Sequence, residues 1–164
     1  MAKVCLVSSA GGHLTQAVSI AGKLQDEHDF ILCVTGFESV RQNGEFEGVS
    51  SVYLAPFYWQ YQIPFGVILS LLASLWMFVR VLRRERPDFL VTTGAEIAIP
   101  ALLVNRLFFH RPSLFIESVS RIDTPSLTGR IAYHLADRVF VQWPGLLRHY
   151  GPRAEYHGRL LRSS

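Results

Sequence analysis

The sequence predicts an α/β protein built on a single Rossmann-like, doubly wound parallel sheet. Three observations carry that reading. Short apolar runs recur along the chain, longer helical patterns separate them, and the first run ends in a paired-glycine turn. Continuous rather than alternating apolar runs suit strands covered on both faces, and strand–helix alternation suits a parallel sheet.

The elements follow in order. Val4–Val7 is a strand that runs into Ser8-Ser9-Ala10-Gly11-Gly12, and a helix follows from Leu14 to Leu24. Phe30–Val34 is a second buried run, closed by Thr35-Gly36, and Val49–Leu54 is a third. A helix over 65–84 has Pro64 at its first turn, where the missing N–H costs nothing. Phe89–Thr92 follows the breaker Pro87 and ends at Thr93-Gly94. A helix over 96–108, the strand Leu114–Ile116, a helix over 127–135 and the strand Val139–Val141 complete six strands. No repeat and no linker divides residues 1–164, so one domain is expected.

The chain has 164 residues, 49% of them hydrophobic and 18% charged, with a net charge of +3. That composition excludes disorder and low-complexity structure. The mean hydropathy of +0.23 suggests apolar surface meant for a partner or a membrane. Charge is divided unevenly: residues 1–79 carry three Lys or Arg against six acids, whereas residues 80–164 carry thirteen Arg against seven acids. Arg pairs two oxygens of a phosphate or carboxylate at once, so an anionic ligand, lipid or acidic partner fits the second half. Nucleic acid is not expected, because no recognition motif accompanies the charge. Cys5 and Cys33 lie in apolar runs, which fits a reducing compartment better than a disulfide framework. No secretory signal is expected, since the first strand starts by Val4.

In a doubly wound fold, ligands sit beyond the carboxyl ends of the strands. The turn Ser8–His13 is neither a P-loop nor a dinucleotide fingerprint: the Gly-Lys-Ser/Thr ending is missing, and Ser9 and Leu14 break the glycine spacing. Glu38 is the nearby acid available to a ribose. Two glycines let amides approach an anion, and Ser8, Ser9, His13 and Thr15 surround them with polar groups. His13 serves either as a general base or as a neutral, orienting hydrogen-bond partner. After the fourth strand, Glu96 either contacts a ligand or complements a helix dipole. After the fifth, Glu117 and Arg121 either contact sugar hydroxyls and an anion or form a surface ion pair. The six histidines and two cysteines lack metal-ligand spacing, so no metal site is expected.

Residues 48–79 hold no charged side chain, carry aromatics including Trp59, and are followed by Arg80, Arg83, Arg84 and Arg86. Three readings compete: a core helix, a membrane span, and a helix that packs on the sheet by its small stripe (Gly66, Ser70, Ser74) while its outer face dips into a bilayer. A span would strand two halves of one sheet on opposite sides of the membrane. The third reading is therefore expected for segment 53–86, with Leu69, Leu72 and Trp76 on the face that dips into the bilayer, aromatics such as Trp59 at headgroup depth and Arg80, Arg83 and Arg84 at the lipid phosphates.

Four segments in order, Ser9–Gln16, Arg86–Glu96, Glu117–Arg121 and Ala136–Trp143, resemble the membrane-associated, acceptor-side subunits of two-component UDP-sugar transferases. These make the dolichol-linked chitobiosyl unit in eukaryotes and serve exopolysaccharide and capsule synthesis in bacteria. The likeness covers about residues 3–160 and extends to the N-terminal half of the transferase that adds GlcNAc to the lipid-linked peptidoglycan precursor. It implies half of a GT-B glycosyltransferase, inactive alone, at the cytoplasmic face of a membrane. A small partner subunit would bind the UDP-sugar, with no tightly held cofactor here, and the acceptor would be a polyprenyl-diphosphate-linked saccharide. By that likeness Gly11, Gly12 and His13 face the acceptor diphosphate, and Glu96, Glu117 and Arg121 line the cleft; Gly94 is counted with the acceptor-binding residues, and His13 and Glu117 are the catalytic candidates. The eukaryotic subunit carries a membrane anchor before its glycine turn; here the turn begins by residue 9, so attachment is expected to rest on segment 53–86. Two other classes stay open: a non-catalytic membrane scaffold, and a soluble nucleotide-dependent oxidoreductase, which would need the missing fingerprint.

Overall fold

The computed structural model describes residues 1–35, 46–56 and 64–160. Seven strands form one sheet: β1 (Ala2–Ser8), β2 (His28–Thr35), β3 (Val49–Ala55), β4 (Phe89–Thr92), β5 (Ser113–Ile116), β6 (Arg138–Val141) and β7 (Ala154–Tyr156). Their order is β3-β2-β1-β4-β5-β6-β7 and every pairing is parallel. The sequence predicts six strands; the seventh is three residues with no apolar run to announce it. The predicted burial of Val49–Leu54 is corrected as well. β3 is an edge strand, and Val52 and Leu54 are exposed because, among the described residues, no further strand or helix covers that side.

Among the described residues, four α-helices connect the strands: α1 (Gly12–Leu24), α2 (Pro64–Glu85), α3 (Ala98–Val104) and α4 (Leu127–Leu135). The helix predicted over 96–108 starts at Ala98, and its final turn, Asn105–Phe109, widens to π geometry before His110 turns left-handed at φ 54°. The side chain of Asn105 closes this end, donating to the Arg111 carbonyl at 2.7 Å and accepting its amide at 3.1 Å.

One sheet face packs Cys5, Leu90, Phe115 and Val139 against Phe78, Val81 and Leu82 of α2 and Ala101 and Leu102 of α3. Each large side chain fully buried there contributes about 1.5–3 kcal/mol. Cys5 and Cys33 meet in this layer as free thiols 3.8 Å apart. The opposite face is covered over β1 and β2, where Leu14, Ala17 and Ala21 of α1 pack on Leu6, Phe30 and Leu32. Over β4–β6 that face lies open as an apolar groove of about 1100 Å³, lined by Phe89, Val91, Leu114, Ile116 and Phe140 with Leu160 at its edge.

Candidate functional site

The strand order reverses between β1 and β4, and crevices at such points receive ligands in doubly wound sheets. The glycine turn leaves β1 there and meets the Thr93–Glu96 turn leaving β4. Gly11 takes φ 81°, a left-handed conformation that favours glycine, and opens α1. No side chain caps this helix, and its first turn holds no acid. Thr15 N–H bonds back to the Gly11 carbonyl at 3.1 Å, leaving the amides of Gly12, His13 and Leu14 without an intrahelical acceptor. Gly11 and Gly12 are exposed, and a Cβ on either would meet no atom within 4 Å. The fold itself does not need glycine at 12; the missing side chain keeps the amides accessible.

His13 is clamped across the switch point. Its Nδ1 lies 2.5 Å from the Thr93 carbonyl, and Thr93 Oγ1 donates to the His13 carbonyl at 3.0 Å. A carbonyl only accepts, so Nδ1 carries the hydrogen and Nε2 the lone pair of the neutral ring. Gly94, at φ 95°, lies under the imidazole: a Cβ there would approach Cε1 to 2.9 Å. Ala95 follows at φ 65°, a strained conformation for alanine of the sort that clusters at functional turns. Glu96 is exposed beyond it.

The remaining predicted residues separate into two groups. Thr15, Glu96 and Arg121 are exposed at the carboxyl edge of the sheet. Ser8 is corrected: it is fully buried, its hydroxyl donating to the Ser9 carbonyl at 2.8 Å, and Ser9 turns its own hydroxyl toward the Ala10 carbonyl. Glu117 is also corrected. It is 1% exposed, and its carboxylate accepts from Ser118 N, Ser126 N, Ser126 Oγ and Tyr150 OH. Those bonds occupy its acceptor positions, so it is placed to hold loops rather than to touch a sugar. Glu38 and Trp59 lie outside the described residues.

Thr93, Gln16 and Gln142 lie in segments that the sequence singles out, but sequence reasoning gave none of them a role of its own. Gln142 is buried and donates to the Glu117 carbonyl at 2.9 Å and to Gln16 of α1 at 3.3 Å. Two glutamines on apolar elements were the available signal, since a buried amide needs partners.

On α2, Ser70 and Ser74 of the small stripe donate to the Pro56 carbonyl, whereas Phe78, Val81 and Leu82, not the stripe, make the contact with the sheet. Leu69, Leu72 and Trp76 face outward at 62%, 56% and 64% exposure, beside Ile68 and Leu71. Arg80 stacks over Trp76 at 5.3 Å, and Arg83 and Arg84 are exposed in the last turn. No helix among the described residues is long and apolar enough to cross a membrane. Among the described residues, no group of His, Cys, Asp or Glu is placed to hold a metal ion.

An all-parallel sheet with an open glycine turn at its switch point defines a Rossmann-like α/β domain. Within that class the chain belongs to the family described as "Oligosaccharide biosynthesis protein Alg14 like", whose model matches residues 59–160. It is 26% identical to the human UDP-N-acetylglucosamine transferase subunit ALG14, covering 96% of this chain and 82% of that protein. It is 30% identical to the UDP-N-acetylglucosamine--N-acetylmuramyl-(pentapeptide) pyrophosphoryl-undecaprenol N-acetylglucosamine transferase of Verminephrobacter eiseniae, over 89% of this chain and 35% of that enzyme. Among solved structures, MurG of Acinetobacter baumannii superposes with a TM-score of 0.71 at 17% identity, covering 98% of this chain and 46% of that one. The chain thus spans less than half the length of the solved structure it matches.

Proposed function

We propose that this chain is the acceptor-side subunit of a two-chain GT-B glycosyltransferase. The complex moves a sugar from a UDP-sugar to a polyprenyl-diphosphate-linked saccharide at the cytoplasmic face of a membrane. The observation that carries this reading is the glycine turn, whose amides are uncapped, unobstructed and adjacent to a locked histidine. A diphosphate seated on the amides of Gly12, His13 and Leu14 gains hydrogen bonds and the positive end of the α1 dipole. His13 Nε2, its lone pair directed by the Thr93 bond, then orients the acceptor hydroxyl. Holding acceptor and donor in register is itself a large part of such catalysis, because it removes the entropy cost of encounter.

The donor half comes from a partner. Supporting this, the family relatives are named as transferase subunits. A parallel sheet ordinarily has both faces covered, yet among the described residues the face over β4–β6 carries an open apolar groove. We place an apolar helix of the partner in that groove. The outer face of α2 provides the membrane contact, with aliphatic side chains and Trp76 in the lipid and Arg80, Arg83 and Arg84 at its headgroups. The UDP-sugar is a co-substrate held mainly by the partner, and UDP-N-acetylglucosamine is the donor to test first. The test is co-expression with the partner, followed by transfer of labelled N-acetylglucosamine to a short prenyl-diphosphate-linked GlcNAc. Label should move with the pair and not with either chain alone; robust turnover by this chain alone would refute the split.

A further inference from the structure

A carboxylate buried without a cation is an expensive feature, and Glu117 is one among the described residues. Its partners come from three places along the chain. Ser118 N–H, at 2.9 Å, starts the loop that leaves β5, and Ser126 N–H, at 3.0 Å, ends that loop at the head of α4. Tyr150 OH, at 2.5 Å, comes from beyond β6. The Ser126 hydroxyl also donates to the carboxylate, while accepting the Gly129 amide at 2.8 Å as the cap of α4. One carboxylate therefore fastens both ends of loop 118–125. Two further bonds tie the start of this loop to the segment that follows β6, Trp143 Nε1 to the Val119 carbonyl at 2.7 Å and Gln142 to the carbonyl of Glu117 itself. Gln142 continues to Gln16 on α1, the helix that begins at the glycine turn. Gly129 is part of the design, because a Cβ there would overlap both Glu117 Oε2 and Tyr150 OH. Burial and the neighbouring carboxylate push the Tyr150 phenol far above its usual range, so it stays a donor at any physiological pH. What the clamp displays is Arg121, exposed between the two fastened ends.

We propose that Glu117 and Tyr150 are a positioning pair for the transfer reaction: they fix loop 118–125 at the cleft rim so that Arg121 meets the acceptor's diphosphate, and neither touches substrate. This inference rests on the transferase reading above. Its test uses the reconstituted pair with UDP-N-acetylglucosamine and a short prenyl-diphosphate-linked GlcNAc, together with hydrogen exchange of the same complex. Tyr150→Phe and Gly129→Ala should each raise the acceptor KM about tenfold, the scale of one hydrogen bond to a charged group. The donor KM should stay within about twofold, and the amides of Ser118 and Ser126 should exchange about tenfold faster. Arg121→Gln should raise the acceptor KM by a similar factor without faster exchange, a separation that a merely structural clamp would not produce. Tyr150→Phe added to Glu117→Gln should bring little further loss, since partners in one network are not additive. Faster exchange with an unchanged acceptor KM would overturn the positioning role, and unchanged exchange would overturn the clamp. Should the wild-type pair transfer no label, the transferase reading fails, and the exchange data alone then decide whether the clamp exists.

Discussion

At Gly12 the absence of a side chain is open to a direct test, because a Cβ there would touch nothing in the fold. Gly12→Val should leave the melting temperature within a few degrees, since valine costs only a few tenths of a kcal/mol at a helix position. It should nevertheless abolish transfer in the reconstituted pair, with donor binding retained. Gly94 is the converse: its left-handed φ and the imidazole above it make Gly94→Ala costly to the fold as well as to the site, by about 1 kcal/mol or more. For His13, we take the orienting role, in which the Thr93 bond aims the Nε2 lone pair at the acceptor hydroxyl. His13→Ala should therefore raise the acceptor KM more than it lowers kcat. A fall in kcat of about 100–10,000-fold at constant KM would instead make it the general base. At this scale the sequence disclosed which residues gather at the strand ends but not which way they turn. Ser8 and Glu117 belong to the right segments and point inward, because partners such as Tyr150, 33 positions away, leave no local trace.

The elements were more legible than the residues. Apolar runs located β1, β2, β4, β5 and β6, since each is buried and such runs have few other uses. β7 escaped because an edge strand of Ala-Glu-Tyr needs no apolar run. Helix α2 yields two predictions. Its outward residues do not pack, so polar replacement of Leu69, Leu72 and Trp76 should change stability by no more than about 0.5 kcal/mol each. Sedimentation with anionic vesicles should be lost in the same variant; unfolding would show instead that the face packs. At the other end of the helix, Glu85 accepts from Lys3 Nζ at 2.9 Å and from the Tyr53 hydroxyl, tying α2 to β1 and β3. The Lys3 bond first, and the Tyr53 bond second, hold its carboxyl below the ordinary glutamate value. The folded form thus binds its proton less readily than the unfolded one. The resulting stabilisation is fully present above the ordinary value of 4.5 and disappears as pH falls through the lower folded value. Melting curves of wild type and Glu85→Gln should accordingly differ near pH 7 and converge once the pH has fallen through that lowered folded value.

For the whole molecule, the bare sheet face is the feature that a partner must answer. Leu114→Asp with Phe140→Asp would put charge into the groove without entering the layer beneath α2 and α3. The double variant should stay folded yet no longer co-purify with the donor-side chain, and activity should fall in proportion to complex lost. Retained association would place the partner elsewhere. The crossover between β1 and β4 has a further consequence, in the order of synthesis. β1 lies between β2 and β4, yet its bonds to β4 join Val4 to Phe89 and Val7 to Thr92, so the centre of the sheet waits until residue 92 has left the ribosome. Such long-range pairing is intrinsically slow. During that wait α2 is already made, with both its inner face and its outer face unpartnered. A nascent chain in that state is prone to aggregate. A nearby bilayer that takes up the outer face first would then serve as the surface on which β4 finds β1, making the membrane a folding partner before it becomes a workplace.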